Sequence, residues 1–163
     1  MLAATENPFA IITLIAAPAV FTNASSVLAL GTGNRLARVV DRTRYLAREL
    51  SSGSERDESA RLWVSHLGRL QKRGALLVRA MSFFYGSIGA FAAASLVSIL
   101  GASLAGSESR YSFAATEAIS FIAGAAGFVG LVVGCALLVR ETRLALLTVS
   151  EEAELAKSWA QKG

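Results

Sequence analysis

Three long stretches without a charged residue constrain this chain more than any other feature. They cover residues 7–34, 80–107 and 118–139, and they are 28, 28 and 22 residues long. A helix of about 20 apolar residues crosses the roughly 30 Å hydrocarbon core of a membrane. The rest of a 163-residue chain is too short to cover three such helices. The sequence therefore predicts an all-α integral membrane protein with three transmembrane helices.

Composition agrees with this prediction. Hydrophobic residues make up 53% of the chain and charged residues 17%, whereas soluble domains have about a quarter of their residues charged. Cys135 is the single cysteine, so no disulfide framework is expected, and its predicted role is that of a small packing residue. The start of the chain, "MLAATENPF", carries no basic residue and does not resemble a cleaved secretory signal.

Residues 26–44, "SVLALGTGNRLARVVDRTR", allow two interpretations. A dinucleotide-binding loop needs G-x-G-x-x-G after a strand, but position 36 is Leu and no strand boundary precedes the glycines. The second interpretation, a helix that leaves the membrane at an arginine-rich segment, fits the preceding apolar run. We therefore expect no phosphate-binding loop here.

Charge asymmetry predicts the orientation. Residues 34–79 contain eleven Arg or Lys and five Asp or Glu, a net charge of +6. Because positive loops stay in the cytoplasm, the N-terminus is expected outside and the C-terminus inside. The predicted segments are an outer leader with the first span (1–33), a cytoplasmic helical hairpin (34–79), the second span (80–105), an outer loop (106–116), the third span (117–139) and a cytoplasmic helical tail (140–163).

Nucleic acid is an alternative partner for a segment of charge +6. Five interleaved acidic residues and few exposed aromatic residues argue against it. Arginines next to a span orient the protein and bind anionic lipid headgroups, at about 1 kcal/mol each. The lipid bilayer and anionic headgroups are therefore the expected partners, and nucleic acid is not.

The hairpin prediction rests on two apolar stripes with heptad-like spacing. "SSGS" at 51–54 separates the two helices, which makes an antiparallel pair. The stripes are Leu36, Val39, Thr43, Leu46 and Leu50, and then Trp63, Leu67, Leu70, Gly74 and Leu77.

Small residues recur on the second and third spans, where they allow helix backbones to approach closely in lipid. They serve either packing within one chain or self-association. The predicted packing residues are Ser82, Gly86, Ala90, Ala94, Ser98 and Ala102 on the second span, and Gly124, Gly127, Gly130 and Gly134 on the third.

The first span is unusual because it contains a proline and an asparagine as well as hydroxyl residues, and polar groups in hydrocarbon need partners. Either they form hydrogen bonds to neighbouring helices, or the face lines a hydrated path in an oligomer. The candidate residues are Pro18, Thr22, Asn23, Ser25 and Ser26.

Catalytic chemistry is not indicated by any motif. His66 is the single histidine, and it lies between arginines on a predicted cytoplasmic helix. Neither a nucleophile with its base nor a set of metal ligands is recognisable, so we expect a non-enzyme without cofactors or metal.

Three segments carry a resemblance to a known family: "APAV" at 17–20, "NRLARVVDRTR" at 34–44 and "RETRLALL" at 140–147. With them the chain resembles the bacterial family called domain of unknown function 2721. The resemblance implies a small multi-pass protein of the bacterial inner membrane, and it brings no activity or ligand residues.

The last two of these segments are expected to leave the membrane on the same face. We therefore predict that the carboxylates of Asp41 and Glu141 join a network of arginines. The alternative is that each arginine reaches the lipid headgroups by itself. The network comprises Arg35, Arg38, Asp41, Arg42, Arg140, Glu141 and Arg143.

Two functions fit these features. One is a self-associating homo-oligomer that conducts ions or small solutes along the first span. The other is a non-conducting accessory subunit or scaffold of a larger membrane complex.

Overall fold

The computed structural model describes residues 8–51, 57–104 and 110–160, and every described residue is helical. Helix α1 is Pro8–Ser51, α2 is Asp57–Leu104 and α3 is Arg110–Ala160. Each helix runs without a break from an apolar stretch into a charged one. Helix α3 begins inside the segment that the sequence analysis gives to an outer loop, and α1 continues through Pro18. The all-α class is therefore confirmed.

Two of the helices contain stretches that are long and apolar enough to cross a membrane. They are Val64–Gly101, with a mean hydropathy of 1.8, and Ala114–Thr148, with a mean hydropathy of 2.4. The most apolar parts of these stretches are only 22% and 11% buried inside the protein. The core helix of a soluble protein would be mostly buried, so both stretches suggest a membrane protein. Helix α1 is not among them, and a third span remains a prediction.

The helices divide into two compact units. The apolar unit comprises the described residues of Met1–Leu30 and Ser82–Gly134, and the arginine-rich unit those of Gly31–Met81 and Cys135–Gly163. Most of the charged residues of the sequence fall in the second unit, which explains the two names.

Leucine and valine form the core of the arginine-rich unit. Val39 and Leu46 of α1 and Leu70 and Leu77 of α2 are buried, and Leu138 of α3 packs against them with Leu36 and Leu67. Within each helix the two buried residues are seven positions apart, the spacing of a heptad seam. These four residues belong to the stripes on which the hairpin prediction rests.

Aromatic rings against glycines organise the apolar unit. Phe84 and Phe91 of α2 are buried. A Cβ placed on Gly134 would lie 2.6 Å from Cε1 of Phe84, and one placed on Gly127 would lie 3.0 Å from Cε1 of Phe91. The missing side chains of these glycines make room for the rings. Phe21 of α1 stacks on Phe91, with ring centroids 5.4 Å apart.

The outer surface of the apolar unit is hydrophobic on all three helices. Val20 is 65% exposed, Leu96 59% and Phe121 77%. Exposed apolar surface on this scale is typical of a protein surrounded by lipid or by other apolar partners.

Candidate functional site: the Glu141 cluster and the faces of the apolar unit

Glu141 of α3 is a buried carboxylate with arginines from both other helices around it. Its side chain is 3% exposed. Arg73 of α2 donates from Nε to Oε1 of Glu141 at 2.8 Å, and a terminal nitrogen of the same guanidinium lies 2.8 Å from that oxygen. Arg35 of α1 places Nη1 3.6 Å from Oε2. One side chain thus joins α1, α2 and α3 within the arginine-rich unit.

A threonine extends this cluster. Nη1 of Arg35 also donates to Oγ1 of Thr142 at 3.2 Å, and that hydroxyl donates to the carbonyl of Leu138 at 2.9 Å. Leu138 is one of the residues packed against the leucine core. The ion cluster and the apolar core are therefore neighbours on α3.

The two arginines differ in how far water reaches them. The side chain of Arg73 is 22% exposed and that of Arg35 is 47% exposed. A buried carboxylate loses its hydration, and charge-assisted hydrogen bonds at good geometry offset that cost. Arg73 supplies the short bonds, whereas the more exposed Arg35 is screened by solvent. Arg73 is consequently the main partner of Glu141.

The structure brings Glu141 and Arg35 together from the predicted network, and it leaves the other members at the surface. Asp41 is exposed and does not reach the cluster. Arg42 is exposed as well, and its guanidinium carbon lies 5.8 Å from the ring centroid of Tyr45. The remaining exposed members are Arg38, Arg140 and Arg143.

Sequence reasoning missed Arg73, although a signal was present. Arg73 lies three residues after Leu70 and four before Leu77, so it shares the face on which these leucines are buried. A charged residue on the apolar stripe of a helix needs an opposite charge from a neighbouring helix.

The candidate residues of the first span lie on two sides of α1, with Pro18, Thr22 and Ser25 on the inner side and Asn23 and Ser26 on the outer side. Ser25 is buried, whereas Asn23 and Ser26 are exposed and Pro18 and Thr22 are half-buried. Oγ1 of Thr22 donates to the carbonyl of Pro18 at 2.8 Å, and Oγ of Ser26 donates to that of Thr22 at 2.9 Å. These two hydroxyls bond within α1, whereas one of the two alternatives drawn from the sequence has them bond to neighbouring helices. A hydroxyl bonded in this way needs neither a second helix nor water.

Ser25 differs from the other hydroxyl residues of α1. It is fully buried, and its Oγ has no hydrogen-bond partner in the part of the chain that the structure describes. Ser87 of α2, also buried, donates from its Oγ to the carbonyl of Phe83 at 2.8 Å. The interior of the apolar unit thus holds both a satisfied and an unsatisfied hydroxyl.

The small residues predicted on the second span divide between two roles. Ala94 is buried against α3, where its carbonyl accepts a bond from Oγ of Ser120 at 3.0 Å. Oγ of Ser98 lies 2.6 Å from the same hydroxyl. Gly86, by contrast, is exposed, and a Cβ placed on it would meet no atom within 4 Å. Ser82 is also exposed, Ala90 is half-buried, and the side chain of Ala102 lies outside the described residues.

Gly86 opens into a groove between α2 and α3. The groove has a volume of about 630 Å³ and an almost wholly apolar lining. Its walls include Ser82, Gly86 and Ala90 of α2 and Ala125, Ala126 and Val129 of α3.

Three of the four predicted glycines of α3 receive side chains of α2. Gly127 and Gly134 receive the phenylalanines, and a Cβ placed on Gly130 would lie 2.7 Å from Oγ of Ser87. Gly124 has open space around it. Sequence reasoning missed the partner face, Phe84, Ser87 and Phe91. The signal was the matched spacing of seven between the two phenylalanines and between Gly127 and Gly134.

Among the described residues, no group of three His, Cys, Asp or Glu side chains is placed to hold a metal ion. Comparison with known families gives one match. The model of the family described as "protein of unknown function (DUF2721)" matches residues 15–151, which is most of the chain. This chain belongs to that family, as its arginine-rich motifs indicated. No curated protein and no solved structure matches it.

Proposed function

We propose that this DUF2721 protein is a non-enzymatic, multi-pass protein of the bacterial inner membrane that self-associates within the bilayer. Three spans are proposed. The apolar stretches of α2 and α3 support two of them. The 28 charge-free residues at 7–34, most of which lie in α1, support the third.

The arginine-rich unit is proposed to lie in the cytoplasm, with the N-terminus outside and the C-terminus inside. The excess of positive charge in residues 34–79 supports this orientation. The contact between Gly74 and Val39, where a Cβ on the glycine would lie 3.7 Å from Cγ1, supports a helical hairpin. A cysteine at Ser150, introduced in a Cys135→Ser background, should react with a membrane-impermeant maleimide only after the cytoplasmic side is opened. Reaction in intact cells would show that the C-terminus lies outside, opposite to the proposed orientation.

The groove beside Gly86 is the observation that supports self-association. In lipid, helices associate where small residues let backbones approach closely, and an open face of Gly and Ala is such a surface. The lining is almost wholly apolar, so the groove fits a helix of another subunit.

Native mass measurement in mild detergent tests this proposal. We expect a defined multiple of the 17.1 kDa chain mass. Gly86→Leu should lower the number of chains in the complex, because it fills the groove from a position where the protein's own atoms leave room. Gly89→Leu is the matched control, since Gly89 is exposed and equally open but does not line the groove. A single-chain mass for the unmodified protein would refute self-association.

A non-conducting accessory subunit or scaffold is the second candidate, and the Glu141 cluster favours it. A buried ion cluster that joins three helices fixes one arrangement of the arginine-rich unit, as a docking module requires. A single chain found with unrelated subunits in the native mass measurement would support this candidate over the first.

Conduction by an oligomer is the remaining alternative, and the exposed amide of Asn23 is what supports it. Ion flux into liposomes that contain the purified protein would test it. Flux that is unchanged by Asn23→Leu would exclude the first span as the pathway.

A further inference from the structure

Asn23 is an exposed amide on a mainly apolar surface of α1, where the nearest exposed polar side chain is the hydroxyl of Ser26. The exposed stripe around it consists of Val20, Val27 and Leu30, which are 65%, 62% and 70% exposed. These residues follow one another at spacings of three, four and three, so they share one face of the helix. At 100° per residue, Asn23 lies about 160° around the helix from the buried Ser25. The stripe therefore faces directly away from the other helices of the apolar unit.

The amide of Asn23 has no hydrogen-bond partner within the described residues. In a span, its side chain is also too short to reach the lipid headgroups. Asn23 lies 12 residues before Arg35, which is about 18 Å along a helix. An asparagine side chain is far too short to reach lipid headgroups from that depth. An amide left unsatisfied in hydrocarbon costs several kcal/mol, so a partner with both donor and acceptor groups is required.

We infer that this partner is the Asn23 of a second copy of the chain. Every copy has the same orientation in a membrane, so their Asn23 residues lie at the same depth. An amide is both donor and acceptor, and a two-fold contact pairs each residue with itself. One asparagine in an otherwise apolar helix seam is also a device that fixes register and partner number.

The groove beside Gly86 is a less suitable binding site for this stripe than the same stripe of a second copy. Contacts of Phe21 with Phe91 and of Ser87 with Gly130 place the groove at a similar level to Asn23. Its lining is almost entirely apolar, with Ser82 and Ser87 as its polar side chains, so a stripe docked there would offer the amide fewer hydrogen-bond partners than a second amide does. The Asn23 stripe and the groove are thus separate surfaces. Two copies of the stripe can pair their Asn23 amides by hydrogen bonds, whereas two copies of the groove have no such pair.

This inference rests on the proposed membrane span of α1, and cysteine cross-linking in native membranes tests both. In a Cys135→Ser background, Val20→Cys and Val27→Cys lie on the stripe, and Ala29→Cys on the buried face is the control. We expect oxidation to cross-link the stripe variants as dimers and to leave the control monomeric. Adding Asn23→Leu should weaken the Val27→Cys dimer about 3- to 10-fold, while Asn23→Gln should retain most of it.

Three results would overturn the inference, and they have different consequences. Stripe cysteines that resist an impermeant maleimide but do not cross-link would refute the contact and leave the membrane span standing. Val27→Cys that cross-links only with a cysteine at Ala90 would assign the stripe to the groove. Stripe cysteines that react freely with the impermeant reagent would refute the span of α1 itself.

Discussion

Arg73 and Glu141 meet inside the arginine-rich unit, where Nε of the guanidinium donates to Oε1 of the carboxylate at 2.8 Å. Both residues border the leucine core, Arg73 through Leu70 and Leu77 and Glu141 through Leu138. The pair therefore lies beside the apolar seam, and it joins α2 to α3. Arg35 adds α1 to the same carboxylate at 3.6 Å.

Removing the carboxylate should destabilise the protein strongly. Glu141→Leu leaves the largely buried guanidinium of Arg73 without its partner, and breaking a buried ion pair costs about 3–5 kcal/mol. Unfolding in detergent, followed by circular dichroism, measures the loss. Arg35→Met is the control, and it should cost less than about 1 kcal/mol because the side chain of Arg35 is half exposed.

The double variant Glu141→Leu with Arg73→Met separates the pair from its surroundings. Replacing both charges with apolar groups of similar size leaves no unpaired charge, so it should cost less than Glu141→Leu alone. If the costs of the two single changes simply add, then Arg73 and Glu141 do not stabilise one another.

Gly134→Ala should destabilise the apolar unit by about 1–3 kcal/mol, because its methyl group would enter the ring of Phe84. Gly124→Ala is the matched control on the same helix. Its Cβ would meet nothing within 4 Å, so it should stabilise the helix by up to about 1 kcal/mol. The unfolding temperatures of the two variants in one detergent provide the comparison.

Phe84→Leu provides a second check on this contact. A smaller side chain opposite the methyl group that Gly134→Ala introduces relieves the overlap. The double variant should therefore be more stable than the sum of the two single effects predicts. Equal stability of Gly134→Ala and the unmodified protein would show that α2 and α3 do not pack through this pair.

The Leu and Val seam of the arginine-rich unit was predictable because apolar residues recur every seven positions within each of its two helices. Val39 with Leu46 and Leu70 with Leu77 repeat at seven residues, and all four are buried. The contact of Arg35 with Glu141 was predictable from the expected common exit of two arginine-rich motifs. Arg73 was not identified because the predicted network was drawn only from residues of those two motifs.

The packing of α2 on α3 was harder to predict, because it depends on volumes that complement each other across two helices. The small residues of α2 were expected to serve either packing within one chain or self-association. In the structure Gly86 of that set is exposed, and the bulky Phe84 and Phe91 enter the space that Gly134 and Gly127 leave. A stripe of small residues on one helix does not reveal which side of it receives a neighbour.

Ser25→Ala should leave the protein as stable as before or stabilise it by about 1 kcal/mol. The change removes a buried hydroxyl whose oxygen has no partner within the described residues, at the cost of one small atom. Ser26→Ala is the control, since that hydroxyl is exposed and bonds to the carbonyl of Thr22, and little change is expected. A clear loss of stability in Ser25→Ala alone would reveal a partner for this hydroxyl, such as a buried water.

Anionic lipid should bind to the exposed arginines next to the proposed cytoplasmic membrane face. Arg38, Arg140 and Arg143 are exposed, and each arginine near a negatively charged surface contributes about 1 kcal/mol. Each change to Gln should therefore weaken retention of phosphatidylglycerol about fivefold in native mass spectra. Arg48→Gln is the control, because Arg48 lies 13 residues beyond Arg35 on α1, about 20 Å further along the helix. Equal losses for Arg48→Gln and Arg38→Gln would show that lipid responds to net charge alone and not to a belt of arginines at the membrane edge.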